Sequence, residues 1–89
     1  MSVKENLENK HVIVYNNVLS DQFKSDNPID RVFHATGGFG CDPNKLGTKV
    51  YGRWLIDNSE DFIRRSSVER LATEEEVKAA EVRSLIKSV

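Results

Sequence analysis

The residues able to do chemistry in this chain crowd into one stretch. Gly37-Gly38-Phe39-Gly40-Cys41-Asp42-Pro43-Asn44-Lys45-Leu46-Gly47 holds four of the five glycines and the only cysteine. Glycine permits positive φ and close backbone approach, Pro43 fixes φ, and Asp42-Pro43-Asn44-Lys45 has the residue order of a type I turn. Exposed N–H groups in such a turn make a cradle for an anion, so phosphate binding is the first chemistry to weigh. The spacing argues against both common phosphate loops. A Walker loop needs glycine, four residues and then Gly-Lys-Ser/Thr at a helix start, whereas Gly47-Thr48-Lys49 enters a strand. No third glycine follows Gly38-Phe39-Gly40 at dinucleotide-fingerprint spacing. The loop therefore reads either as a structural hairpin connection or as a ligand- or protein-binding loop of another kind.

Cys41 has Asp42 beside it and His34 across the same hairpin, which raises metal ligation and thiol catalysis. Structural zinc takes four ligands in paired spacing, and one cysteine with His11 and His34 falls short of that set. No oxyanion-hole motif accompanies the thiol. No metal, cofactor or catalytic residue is expected, and the chain reads as a binder rather than an enzyme. Lys49, Tyr51 and Arg53 alternate along one strand face, with Arg31 and Phe33 extending the patch on one side and Arg64 or Arg65 on the other. Such an aromatic and basic surface suits a protein interface, a nucleic acid or plain solvation. Trp54 belongs to the opposite face with Val50 and Ile56, which makes it core. Arg64-Arg65-Ser66-Ser67-Val68 has the form of a basophilic kinase target but is better explained as strand.

These residues need a scaffold, and the pattern predicts a small α+β domain: an antiparallel β-sheet or open β-barrel with a C-terminal α-helix. Residues 1–10 are polar and read as a frayed segment or short helix, leaving 11–89 as one domain. Strands are expected near 11–15, 30–36, 48–56 and 61–71 from their β-branched and aromatic content. Ser20-Asp21-Gln22 is able to cap a helical turn carrying Phe23, but Pro28 breaks that segment, so 16–29 reads as loop. The hairpin turn Asp57-Asn58-Ser59-Glu60 places Phe62 and Ile63 opposite Leu55 and Ile56 in the simplest register. Thr73-Glu74-Glu75-Glu76 matches a capping box, so a helix runs near 74–88. Its stripe of Ala79, Val82, Leu85, Ile86 and Val89 is expected to pack on the sheet, with acidic residues in its first turn and Arg83 and Lys87 near its end.

Composition narrows the classes further. Eighty-nine residues suffice for one modest core, and 38% hydrophobic with 30% charged content is that of a globular chain. Thirteen basic against fourteen acidic residues leave a net charge of −1, so no strong nucleic-acid footprint exists at whole-chain level. The longest apolar run near the start, Val12-Ile13-Val14-Tyr15, is too short for a signal or membrane segment, and a cytoplasmic location with no membrane partner is expected.

From Val32 to Glu76 the chain resembles small uncharacterised proteins of tailed bacteriophages and prophages. The likeness lies in Thr36-Gly37-Gly38-Phe39-Gly40-Cys41-Asp42-Pro43, then Gly47-Thr48-Lys49-Val50-Tyr51-Gly52-Arg53-Trp54, then Arg64-Arg65-Ser66-Ser67-Val68-Glu69, about half the chain. The resemblance implies an accessory protein that binds a host protein in the host cytoplasm, as in host takeover or anti-defence. The expected binding residues are Gly38, Phe39, Gly40, Lys49, Tyr51, Arg53 and Arg65. The alternative is a nucleotide or nucleic-acid binding module in which the Gly37–Gly40 amides, Lys49, Arg53 and Arg65 contact phosphates.

Overall fold

The computed structural model describes residues 6–19 and 24–87. Five strands, β1 (Lys10–Val14), β2 (Val32–Gly37), β3 (Lys49–Trp54), β4 (Glu60–Arg64) and β5 (Val68–Leu71), pair antiparallel in the order β4-β3-β2-β1-β5, and one helix, α1 (Glu74–Lys87), follows. The expected α+β class holds. The capping role read for Ser20 to Gln22, the turn at Phe23 and the end of the stripe at Val89 lie outside the described residues.

A single strand over 61–71 does not form. Residues 60–64 pair with β3, Arg65–Ser67 make one 3-10 turn, and 68–71 pair with β1 on the opposite edge of the sheet. This break coils the whole sheet. Laid flat, Arg64 beside Lys49 and Val68 beside Val14 would sit roughly 30 Å apart, from four strand spacings across and about eight residues of offset along. Four peptide links reach about 15 Å at most. The sheet must therefore curl with a diagonal stagger into an open barrel, as strand twist favours. The turn bonds to both sides of the closure: the Arg65 amide donates to the Thr48 carbonyl at 2.8 Å, and the Ser67 carbonyl accepts from the Tyr15 amide at 2.9 Å.

The interior of the barrel is one cluster of Val12, Val14, Phe33, Ala35, Cys41, Val50, Trp54, Ile63 and Val68, joined by Leu7. Each fully buried side chain of this size contributes about 1.5–3 kcal/mol. Within the described part of 1–10, read as a frayed segment or short helix, Leu7 is instead anchored in the core. It is fully buried, and its amide donates to the Cys41 carbonyl at 2.8 Å. Phe33 and Trp54 face each other across β2 and β3 in an edge-on ring contact, and the indole N–H donates to Asp61 Oδ2 at 3.0 Å. Trp54 is thus core, as its alternation with Lys49, Tyr51 and Arg53 required.

A second, smaller cluster lies outside the barrel, where Ile13 and Val32 meet Ala80 of α1. Burial on both faces explains why β1 is a continuous β-branched run rather than an alternating one. The capping box forms as expected: Glu76 N–H donates to Thr73 Oγ1 at 3.1 Å, and Thr73 N–H donates to Glu76 Oε1 at 3.0 Å. The buried face of α1 differs from the expected one. Val77 and Ala80 pack on the sheet, while Val82, Leu85 and Ile86 are exposed. Two ion pairs set the rotation of the helix. Glu76 takes both Arg70 Nη atoms at 2.6 and 2.7 Å, and Arg83 Nε meets Asp30 Oδ1 at 3.0 Å. Positions 76, 80 and 83 share one helical face, so these clamps turn the small Ala80 inward, where backbone approach is closest, and the bulkier stripe outward.

The hairpin between β3 and β4 turns earlier in the chain than the simplest register assumes. Trp54 N–H donates to Ser59 O at 3.0 Å and Asn58 N–H to Trp54 O at 2.7 Å, with Asn58 at φ 58°. Leu55 and Ile56 fall in the turn, and Phe62 and Ile63 face Tyr51 and Val50 instead of them.

Candidate binding surface

The glycine-rich stretch is a folded appendage on the start of β3. Phe39–Cys41 form one 3-10 turn, closed by Cys41 N–H to Gly38 O at 3.1 Å and Asp42 N–H to Phe39 O at 3.3 Å. Gly38 has φ 106°, and a Cβ there would lie 2.5 Å from Lys49 O. Gly40 is pressed on the Thr48 carbonyl so closely that a Cβ would lie 2.5 Å from it. Asp42 Oδ1 accepts the Asn44 amide at 2.9 Å, the Asx geometry that its place in the turn suggested.

Arg65 ties this loop down. Its Nη1 donates to Gly40 O at 2.7 Å and to Cys41 O at 2.9 Å. Of the seven expected binding residues, Gly40 and Arg65 therefore serve the loop's own structure in this conformation. Cys41 and His34 are not brought together. Cys41 Sγ donates to Gly37 O at 3.2 Å from inside the barrel, and burial, aided by Glu8 and opposed by Arg65, pushes its thiol pKa up. His34 stands outside the barrel, stacked on His11 with ring centroids 4.3 Å apart. Among the described residues no three His, Cys, Asp or Glu side chains gather as metal ligands would.

Gly38, Phe39, Lys49 and Tyr51 do come together. They line an open depression of about 700 Å³ with Leu46 and Gly37, and Glu8 and Lys45 stand at its rim. Phe39 is 67% exposed and Leu46 fully so. The outer face of β3 and β4 continues this surface as three cross-strand rows: Lys49 with Arg64, Tyr51 with Phe62, Arg53 with Glu60. Tyr51 and Phe62 are 47% and 49% exposed with ring centroids 6.0 Å apart, and Lys49 Nζ sits 5.1 Å from the Phe62 centroid. Lys45 Nζ lies 5.5 Å from the Phe39 centroid. Arg53 Nη2 meets Glu60 Oε1 at 2.7 Å.

The expected extension of the patch through Arg31 and Phe33 fails. Phe33 points into the barrel, and Arg31 is buried with Nη1 donating to Val14 O at 2.8 Å. His34 occupies the β2 position beside Arg53 instead. Phe62 and Leu46 are the residues that sequence reasoning passed over. Phe62 was hidden by the register of the hairpin, and the polarity of Lys45 and Asn44 around Leu46 was the signal for its exposure.

No family model, curated protein or solved structure matches the chain. No helix among the described residues is long and apolar enough to cross a membrane.

Proposed function

We propose that this chain is a non-catalytic module that binds a protein partner through the tip of the glycine-rich loop and the outer face of β3 and β4. The observation that carries this reading is the contiguous exposure of Phe39, Leu46, Tyr51 and Phe62 on a rigid sheet and a pinned loop. A cross-strand ring pair adds only about 0.2–1 kcal/mol to a sheet, and exposed apolar patches of this kind mark interaction sites. In the phage setting that the resemblance implies, the partner is a host protein met in the host cytoplasm.

The phosphate-cradle alternative has less support. Gly40 is buried, the Cys41 and Asp42 amides are bonded within the turn, Arg65 is engaged with loop carbonyls, and Arg53 is paired with Glu60. The test is affinity capture from host lysate with the full chain and with a Tyr51→Ala/Phe62→Ala variant. Mass spectrometry is expected to find a protein retained by the first and lost by the second after nuclease treatment. Equal retention by both chains, or loss on nuclease treatment alone, would overturn the reading.

A further inference from the structure

The row Lys49 with Arg64 differs from its neighbours. The two cations stand directly opposite on adjacent strands, on the solvent face, where like charges repel. Two rows away Arg53 faces Glu60 and is paired at 2.7 Å. No carboxylate of a described residue lies within ion-pair distance of Lys49, Arg64 or the nearby Lys45. Of the acidic groups close by, Asp61 accepts from the Trp54 indole and the Phe62 amide, Asp42 accepts from Asn44, and Glu8 shares the depression with Lys45 and Lys49 without pairing with either. The sheet thus holds two facing cations, neither in an ion pair with a described carboxylate, beside a half-exposed aromatic pair.

We infer that the partner segment seated here is acidic, with a carboxylate between Lys49 and Arg64 and an adjoining apolar side chain on Tyr51 and Phe62. This inference rests on the protein-binding reading above and names the chemistry of its partner. A carboxylate there turns a repulsive pair into two charge-assisted contacts, and the rings of Tyr51 and Phe62 supply the area that a lone charge pair lacks. A nucleic-acid strand fits less well. It brings a charge at every nucleotide and needs a basic track, whereas Arg53, the next cation along this face, is neutralised by Glu60.

The test is titration of the isotope-labelled full chain, followed by its amide spectrum. The probes are a short capped peptide in which glutamates flank one tryptophan, the same peptide with glutamine for glutamate, a thymidine oligonucleotide of equal charge, and inorganic phosphate. The acidic peptide is expected to shift the Lys49, Tyr51, Phe62 and Arg64 signals and to bind at least tenfold more tightly than the glutamine version. It is expected to lose that advantage in a Lys49→Gln/Arg64→Gln variant. That variant should melt no lower than the parent at low salt, because it removes a repulsion, and a clear fall in its melting temperature would overturn the premise. Equal binding of the two peptides, shifts elsewhere on the molecule, or tighter binding of the oligonucleotide or phosphate would overturn the acidic-partner inference. The lysate capture separates the two claims. Capture lost in Tyr51→Ala/Phe62→Ala but unchanged in Lys49→Gln/Arg64→Gln would leave protein binding standing and remove the acidic partner.

Discussion

The outer surface of this barrel has two halves that solve the same problem differently. Over β1 and β2, the apolar Ile13 and Val32 are covered by α1, which is held by the Arg70–Glu76 and Arg83–Asp30 pairs. Over β3 and β4, the rings of Tyr51 and Phe62 stay open, flanked by the facing cations Lys49 and Arg64 at one end and a closed ion pair at the other. The covered half buries its apolar area against α1, and the open half leaves its apolar area toward solvent. Net stability in a domain of this size is small enough that the two halves separate by mutation.

The sharpest break of this comparison sets core against open face. Trp54→Ala is expected to cost about 3–5 kcal/mol and to unfold much of the population, and Ile13→Ala, under the helix, about 2–5 kcal/mol. Tyr51→Ala with Phe62→Ala should change the denaturation midpoint little while abolishing partner capture. Urea titrations of the three chains check this, and an unfolded double variant would place the rings in the core instead of on the binding face.

A smaller effect is expected in the loop that carries Phe39. Gly38→Val and Gly40→Val should each cost about 1–3 kcal/mol, from positive φ in the first and from contact with the Thr48 carbonyl in the second. Arg65→Ala should cost about as much by removing its bond to the Gly40 carbonyl and leaving the Cys41 carbonyl with the Leu7 amide alone. Lys45→Ala, at the exposed rim, should leave the melting temperature unchanged. Thermal melts rank the four, and equal behaviour of Arg65→Ala and Lys45→Ala would show that the loop holds itself without the pin.

Acid should loosen the covered half. Its Arg70 contact holds the Glu76 carboxyl at about 2, below its ordinary 4.5, so its contribution is complete above pH 4.5 and is lost as pH falls from about 5 toward 2. Burial and the facing His34, opposed by Glu81, lower the His11 pKa below 6.5. The unfolded chain then takes up that proton first, and stability erodes as pH drops below about 6.5. Melting temperature is expected to be level between about pH 7 and 8 and to fall in two stages as the pH drops below that. Glu76→Gln should remove the lower stage and His11→Gln the upper, and an unaltered profile in both variants would place the sensitivity elsewhere.

A small effect is expected in the closed ion pair of the open half. Arg53→Gln should change stability by less than about 1 kcal/mol, because an exposed pair is solvated whether or not it is closed. A loss larger than this in a urea titration would show that the row supports the sheet.

Local chemistry was legible in the residues. The alternation of Val50, Gly52 and Trp54 with Lys49, Tyr51 and Arg53 placed the core and outer faces of β3, and Thr73 with Glu76 announced the helix start. Both depend on neighbours a few positions apart, which a single sequence displays. The break at Arg65–Ser67, the burial of Leu7 and the rotation of α1 depend on partners far along the chain. No period in the sequence encodes that β5 must reach β1, that Leu7 closes under Cys41, or that Arg70 and Asp30 turn Ala80 inward. The same holds for the binding face. Sequence alternation chose Lys49, Tyr51 and Arg53, while the early position of the hairpin turn decided that Phe62 and Arg64, across from Tyr51 and Lys49, complete it. Periodicity assigns a side chain to a face, and only the closure of the barrel decides what that face meets.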